Sequence, residues 1–394
     1  MREVFRKGRG LGFALLFFAG CSTRIPPAAI EAYDRCDFSS AVKILKKRAD
    51  QGDKDQVLYL LALLSSSMRA GDWAQVEASS KSALDIMWGY SGQGRGAASL
   101  ASSESIKVFK GEPFEKAMAG VYAGIYYFNR KDYDNARAAF NKALLAMAQK
   151  QESTREDFAL AYFLLAKTES VLKNDDNARI ALQKASKIYP YESTLFDLDF
   201  VRKSNAIFLL ELGRAPQKAR TGPGDSLIAW MRRSYPERSA QVFVKNQAIG
   251  RPLEIADLTA QAASKGRTGK DKVQATKGVA REVSTVTAIV AADAASRGNK
   301  TAGWVALGAG LFAVANQSQA DVRQWEFLPD LILATGAKIA PGPYAFRAEF
   351  FDAGNASLSH LRQSWEYTVP TADDTIFLVP ASRCNVNPVI GGQP

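Results

Sequence analysis

The chain has 394 residues, of which 47% are hydrophobic and 23% are charged, values typical of a folded globular protein and not of a disordered one. This length suffices for two or three domains with a large core. Lys and Arg number 51 against 40 Asp and Glu, which gives a formal net charge of +11. An excess of basic residues is compatible with binding to anionic lipid headgroups, lipopolysaccharide or peptidoglycan. It is also found on ordinary solvated surfaces that bind none of these. The single histidine, His360, excludes sites that need several histidines, such as an HExxH zinc helix.

The N-terminal residues have the order of an export signal. Basic residues precede an apolar run over 11–19 that is too short to span a bilayer. The run ends in FAGC, residues 18–21, which resembles the lipobox of bacterial lipoproteins. This resemblance implies that 1–20 is a signal peptide, that Cys21 carries the lipid and, with Ser22 next, that the anchor lies in the outer membrane facing the periplasm. Ordinary secretion and a chance cysteine are the alternatives.

The other two cysteines form an even pair if Cys21 is acylated. In an oxidising compartment Cys36 and Cys384 are able to form a disulfide. Since Cys36 precedes the first helical repeat and Cys384 follows the last predicted strand, the bond would join the two ends of the folded chain. Two independent free thiols are the alternative. For an exported protein we expect no nucleic-acid partner.

A pattern of small residues recurs across 30–190 at the intervals of tetratricopeptide repeats. It predicts a helical repeat domain over 29–222, after a linker at 21–28. It is clearest in GVYAGIYYFNRKDYDNARAAFNKALLAM and LAYFLLAKTESVLKNDDNARIALQKASKIYP. Small residues are needed where two helices of a hairpin cross closely. The pattern predicts a tetratricopeptide-like α-solenoid whose groove binds partner proteins, with a non-repetitive helical bundle as the alternative. The matching positions are Gly124, Tyr127, Tyr133, Ala136, Phe140, Ala178 and Pro190.

Two segments of this half stand outside the clear repeats. Residues 200–219 predict one more helix and a capping turn. Residues 88–113 interrupt the array and contain a G-x-G-x-G sequence, but a dinucleotide site needs that sequence between a strand and a helix. We therefore predict a loop there, with Arg95 and the residues after it as candidates to line the groove.

After TGPGD, residues 221–225, the hydrophobic period changes from helical to alternating. The change predicts a β domain over 223–383 and a tail over 384–394. Its predicted strands are AQVFVKN, RPLEIADL, PGPYAFRAEFF, QSWEYTV and DTIFLVP, with a turn at DAGN. They predict a small antiparallel, sandwich-like domain, so the fold class is α+β. The alternating aromatics are expected in its core, and its open edges offer a docking surface.

A helical hairpin is predicted as an insertion over 270–315. Its second part, AGWVALGAGLFAVA at 302–315, carries no charge. As a helix it would reach about 21 Å, short of a hydrocarbon core of about 30 Å. The hairpin is therefore expected to be buried against the rest of the protein. Insertion into a membrane or self-association through its glycines is the alternative.

The segment at 318–346 contains the sequence Ala-Asp-x-Arg-x-Trp-x-x-Leu-Pro. Together with the repeats and FKGEPFEKA at 109–117, it resembles a family of bacterial tetratricopeptide-repeat lipoproteins with a small C-terminal β domain. The resemblance implies an accessory role in the cell envelope and no particular reaction. On a strand the acidic and basic residues of the motif would share a face and pair, so we expect a structural clamp rather than a ligand site. The motif residues are Ala320, Asp321, Arg323, Trp325, Leu328 and Pro329.

No residue set in the sequence supports a named reaction. A G-x-S-x-G elbow is absent, and GRTGKDK at 266–272 lacks the spacing of a phosphate loop. We therefore expect no enzyme activity, cofactor or metal. The expected function is an outer-membrane-anchored scaffold that binds envelope proteins in its groove. The alternatives are a membrane-active or self-oligomerising component that uses 302–315, and an enzyme acting on peptidoglycan or glycan.

Overall fold

The computed structural model describes residues 25–89, 108–148, 158–188, 193–221, 227–264 and 320–391. Helices fill the N-terminal part of the chain, and strands make up most of the C-terminal part. The predicted α+β class is confirmed at this level.

The N-terminal helices pack against one another in chain order. Aspartates begin two of the outer ones, since the side chains of Asp37 and Asp72 accept the N–H groups of Ser40 and Gln75 at 3.1 Å. Gly71 ends another helix with a φ of +72°, a conformation that costs glycine little. The bounds are α1 Pro27–Asp34, α2 Phe38–Ala49, α3 Gln56–Ala70, α4 Trp73–Trp88, α5 Pro113–Asn129, α6 Tyr133–Ala148, α7 Ala159–Val171 and α8 Asp175–Ile188.

These helices differ in how much of their surface is buried. The inner helices, α3, α5 and α7, are buried almost all round. The outer helices, α2, α4, α6 and α8, bury one stripe and expose the opposite side to solvent. Because an inner helix exposes almost none of its surface, it must be covered on two sides. The outer helices cover one side, and the strands described below cover the other.

The small residues predicted to allow close helix packing lie at such contacts. A Cβ atom added to Gly124 would lie 2.3 Å from Cε1 of Phe140, so only glycine fits beneath that ring. Phe140 and Ala136 are fully buried. Ala178 is fully buried as well, Tyr127 and Tyr133 are half-buried, and Pro190 lies outside the described residues.

The strands form two four-stranded sheets and a hairpin. The strands are β1 Ala206–Leu212, β2 Gln217–Thr221, β3 Leu227–Met231, β4 Ser239–Val244, β5 Gln247–Ile249, β6 Leu253–Asp257, β7 Leu331–Ala337, β8 Gly342–Phe351, β9 Gln363–Val369 and β10 Thr375–Pro380. Sheet 1 has the order β10-β1-β7-β6, sheet 2 has the order β5-β4-β8-β9, and β2 pairs with β3. Two short helices lie beside these strands in sequence: α9 Leu198–Lys203 precedes β1, and α10 Leu258–Ser264 follows β6.

The five strand segments predicted from alternation are confirmed as β4, β6, β8, β9 and β10. The turn predicted at DAGN is also present, where Asp352 Oδ1 accepts the N–H groups of Gly354 and Ala356 at 2.9 Å. Sheet 2 is antiparallel throughout. Sheet 1 is mixed, because β10 runs parallel to β1, so a purely antiparallel domain is a wrong prediction for this sheet.

The predicted helix over 200–219 is wrong. The helix α9 ends at Lys203, and β1 begins at Ala206, inside the range predicted for the helical repeats. The reason is that β1 is buried along its whole length on both faces. A strand buried on both sides has a continuous apolar sequence, AIFLLEL, which periodicity alone does not separate from a buried helix.

Sheet 1 lies between two hydrophobic cores. Along β1, Ile207 and Leu209 belong to a core shared with the inner helices, whereas Phe208 and Leu210 belong to a core shared with sheet 2. The same alternation holds along β7 and β10. The inner helices are therefore covered by the chain's own sheet 1, and sheet 2 covers the other face of that sheet.

Candidate functional site

The motif segment 320–330 leads into β7, and each of its residues is buried. It has no regular secondary structure, so it is not the strand on which the pairing of Asp321 and Arg323 was expected. The pairing itself is present. The Nε and Nη2 atoms of Arg323 donate to Oδ1 and Oδ2 of Asp321 at 2.8 Å each.

Arg323 also connects this segment to the helices. Its Nη1 atom donates to Oδ1 of Asp55, just before α3, at 2.6 Å, and only 2% of the Arg323 side chain is exposed. Burial opposes the positive charge, but the hydrogen bonds and charges of Asp321 and Asp55 outweigh it, so the pKa of Arg323 is raised. A buried cation with two carboxylate partners fixes the position of 320–330 on the helical part.

Trp325 makes the second connection to the inner helices. Its indole Nε1 donates to Ser65 Oγ at 3.0 Å, and its ring meets Tyr122 edge-on with centroids 5.8 Å apart. Its backbone N–H donates to Oε1 of Glu115 at 2.6 Å. Burial raises the pKa of Glu115, whose other oxygen accepts the N–H of Glu112 at the start of α5.

A buried lysine continues this network from the β2–β3 hairpin. Lys218 Nζ donates to Oε1 of Glu112 at 2.8 Å and to the carbonyl of Arg323 at 2.6 Å. The ammonium group also lies 5.2 Å from the ring centroid of Trp230. Lys218 therefore joins the hairpin, the first turn of α5 and the motif segment.

A third polar contact links the inner helices to sheet 1 directly. Glu211, on β1, accepts from Arg69 Nη2 at 2.5 Å and from the hydroxyl of Tyr122 at 2.6 Å. Burial and the neighbouring carboxylate raise the pKa of Tyr122 well above its usual value. Sequence reasoning missed Glu211, although a single charge within the apolar run AIFLLEL was a signal for it.

The end of the motif is anchored in the strands. The carbonyl of Leu328 accepts the N–H of Ala215 at 2.7 Å, next to the buried Pro329. Asp330 accepts the hydroxyl of Tyr235 at 2.6 Å and that of Thr259 at 2.5 Å.

We call the contacts of Asp321, Arg323, Trp325, Lys218 and Glu211 with their partners the buried seam. Its charged groups have opposite charges or hydrogen-bond donors as neighbours, as burial requires. Most of its side chains are almost fully buried, although Arg69 and Glu211 also line a pocket of about 260 Å³. The geometry of the motif is that of an internal clamp between helices and strands.

Cys36 and Cys384, which are 348 positions apart in sequence, are joined in a disulfide with Cα atoms 5.6 Å apart. Cys36 lies in the loop between α1 and α2, and Cys384 follows β10. Phe38 and Val386 pack beside the bond in a small apolar cluster. The bond therefore ties the beginning of the helical part to the segment that follows the last strand.

An open cleft of about 990 Å³ lies along β9. Its lining includes β9, the start of β8, the end of α5, residues 373–375, and Asn385, Val386, Asn387, Val389 and Gly391. Tyr344, Trp365 and Tyr367 supply aromatic surface. Trp365 Nε1 is buried and has no hydrogen-bond partner within the described part of the chain. Among the described residues, this cleft is a larger candidate site than the pocket of about 260 Å³ beside Arg69 and Glu211.

The remaining predictions from the sequence concern residues outside the described ranges, His360, metal binding and membrane-spanning helices. Cys21, Arg95 and the insertion at 270–315 lie outside the described residues. His360 is exposed, in the 3₁₀ turn before β9. Within the described ranges, no group of three or more His, Cys, Asp or Glu side chains is arranged to hold a metal ion. Among the helices described, none is both long and apolar enough to cross a membrane.

Comparison with known proteins adds no relative. No family model matches the chain, and no curated protein matches it at a significant level. The resemblance to tetratricopeptide-repeat lipoproteins therefore stays a prediction from its motifs.

Proposed function

We propose that the protein is an outer-membrane-anchored lipoprotein that faces the periplasm and serves as a protein–protein interaction scaffold in cell-envelope assembly. The lipobox-like FAGC sequence supports lipid attachment at Cys21. The disulfide between Cys36 and Cys384 supports an oxidising compartment such as the periplasm.

The proposal includes a finer description of the fold. We assign the helix pairs from α1 to α8 to a tetratricopeptide-like solenoid, and sheets 1 and 2 to a sandwich-like domain. The chain-order packing of the helices and the fit of Gly124 under Phe140 support the first assignment. The hydrophobic core shared by the two sheets supports the second.

The observation that carries the scaffold function is the exposed side of the outer helices. In the solenoid assigned here, the inner helices line the groove, and sheet 1 and Trp325 pack against them. The outer helices keep solvent-facing surfaces, with exposed apolar side chains at Leu145 and Ile180. We therefore place the partner surface on the outer helices.

Two alternative functions have less support. The membrane-active or self-oligomerising component depends on 302–315, which lies outside the described residues. An enzyme acting on peptidoglycan or glycan needs a carboxylate pair at a cleft. At the cleft along β9, Asp373 and Asp374 form ion pairs with Lys131 and Lys167, which favours a structural role for both.

The test is crosslinking of the full-length protein in its native envelope. Leu145→Asp and Ile180→Asp together place charges on the outer helices. Met231→Asp, at an equally exposed apolar position on β3, is the matched control. We expect specific crosslinked partners with the wild type and the control, and their loss in the double variant. Equal partners in all three proteins would contradict the outer-helix surface.

The anchor is tested separately. Cys21→Ala should abolish incorporation of labelled palmitate and release the protein from the membrane fraction. Membrane retention of this variant without incorporated lipid would contradict the lipoprotein assignment.

A further inference from the structure

The edge of sheet 2 at β9 is unlike the other edges of the two four-stranded sheets. The edge strand β5 has three residues, and the Gln241 side chain donates to the carbonyls of Ile249 and Gly250 beside it. In sheet 1, β6 has a bulge, and the C-terminal segment covers β10 through the N–H of Leu378, which donates to the carbonyl of Pro388 at 2.8 Å. Bulges, short strands and covering segments are the usual protection of sheet edges.

In contrast, β9 is seven residues long, regular, and contains neither proline nor lysine. The register shows which of its backbone groups point outward. On β8 the carbonyl of Ala345 accepts from Lys245 beside β4, and the carbonyl of Phe350 accepts from Leu358 on the opposite side. Even-numbered residues of β8 therefore face β9, and they pair with Gln363, Trp365 and Tyr367.

The remaining residues of β9, namely Ser364, Glu366 and Thr368, direct their N–H and C=O groups away from the sheet. Within the described ranges, no hydrogen bond joins these groups to another part of the chain. The same residues line the cleft of about 990 Å³ described above. A row of free main-chain donors and acceptors thus lies beside an open, partly aromatic space.

The side chains at this edge define what it would accept. Glu366 is exposed and lies opposite Ala345 of β8. Within the described residues it forms no ion pair. An added strand would place one side chain opposite Glu366 on the outer face, and its two flanking side chains toward Trp365 and Tyr367. Charge complementarity favours a basic residue between two apolar residues.

We infer that the β9 edge binds an extended peptide segment of a partner protein as an additional antiparallel or parallel strand, with a Lys or Arg opposite Glu366. This inference deepens the proposed scaffold function and rests on it. A second copy of the chain is disfavoured, because residues 373–375 and part of 385–391 line the same cleft and limit the space beside β9. The edge strand of a folded partner would bring a second layer of that protein about 10 Å away, for which the cleft must also have space. A single extended chain brings no such layer. Addition of a strand at a free edge is a common mode of peptide recognition.

The test uses a fluorescein-labelled nine-residue peptide with a Val-Lys-Val core and three threonines on each side. Fluorescence anisotropy with the full-length protein should show saturable binding. A peptide with an N-methylated lysine loses one main-chain donor and should bind at least about tenfold more weakly. A Val-Glu-Val peptide should bind about twofold to fivefold more weakly, because a like charge then faces Glu366.

Variants locate the binding site. Glu366→Pro removes an outward-facing N–H, a position at which an edge strand tolerates proline, and should weaken binding at least about tenfold. Glu31→Gln removes an exposed carboxylate from α1 as the matched control and should leave binding unchanged. If Glu366→Pro does not fold, hydrogen exchange of the wild type replaces it. The peptide should then slow exchange at the amides of Ser364, Glu366 and Thr368.

The inference is overturned by absence of peptide binding, by equal binding of the N-methylated peptide, or by protection elsewhere in the chain. The scaffold function has its own readout, which is the envelope crosslinking described above. Partners crosslinked without peptide binding would overturn the edge site alone. Peptide binding in the absence of any envelope partner would leave the edge site and remove the scaffold function.

Discussion

The buried seam and the β9 edge use charged residues in opposite ways. In the seam, Arg323 is 2% exposed and has two carboxylate partners, so it holds the helices in one arrangement on the strands. At the edge, the charged Glu366 is exposed, and the binding capacity lies in backbone groups and aromatic rings. The comparison teaches that the residues with the most conspicuous chemistry stabilise this fold, while its accessible surface binds through shape and main chain.

The largest expected effect comes from the seam. Arg323→Ala removes the cation between Asp321 and Asp55, and should lower the free energy of unfolding by about 3–5 kcal/mol. The measurement is urea denaturation followed by circular dichroism. Arg137→Ala, which breaks a surface pair with Asp134 on α6, is the control and should cost less than about 1 kcal/mol. Similar costs for the two variants would show that the seam is not the stabilising element.

Loss of the disulfide should affect the cleft along β9 more than the buried seam. Cys36→Ser with Cys384→Ser should lower the free energy of unfolding by about 2–4 kcal/mol, because the bond closes a very long loop. Residues 385–391, several of which line the cleft along β9, should show faster hydrogen exchange before 320–330 does. A reducing agent should reproduce the effect in the wild type and change nothing in the double variant. Faster exchange that begins at 320–330 would contradict this order.

The hydrogen bond between Tyr122 and Glu211 is a smaller part of the seam. Tyr122→Phe should lower the free energy of unfolding by about 1–3 kcal/mol at neutral pH. Burial raises the pKa of Tyr122 in the folded protein above its ordinary value of 10.0. Its contribution is therefore fully present below pH 10 and is lost as the pH rises above that value. The variant should lose stability less steeply above pH 10, and an unchanged slope would contradict the role of this hydroxyl.

Much of the architecture was predictable because its signals are local. Alternation in β8 gave the correct strand and the correct inward face, with Phe346 and Phe350 buried. In β1 both faces are buried, so its sequence is apolar throughout and does not alternate. A continuous apolar run of this kind resembles the sequence of a buried helix. The parallel pairing of β10 with β1 depends on residues far apart in sequence, which no local pattern records.

The candidate site was less predictable for a related reason. Asp321, Arg323 and Trp325 were found through the motif, but their partners Asp55, Ser65 and Glu115 come from helices that the fold alone brings close. The β9 edge has no unusual residue at all. The β9 edge is open to an added strand because no other part of the described chain pairs with it. Which strand stays unpaired depends on the topology of the sheet and not on the composition of the strand.

The smallest expected effect compares two carboxylates on strands. Glu366→Gln should change the free energy of unfolding by less than about 0.5 kcal/mol, because an exposed carboxylate at an open edge is solvated by water. Glu211→Gln, in the seam, should cost about 1.5–3 kcal/mol, because a buried guanidinium then loses its charged acceptor. Both are measured by urea denaturation under identical conditions. If Glu366→Gln cost as much as Glu211→Gln, Glu366 would have to hold a partner within the folded chain, and the β9 edge would not be free to accept a peptide strand.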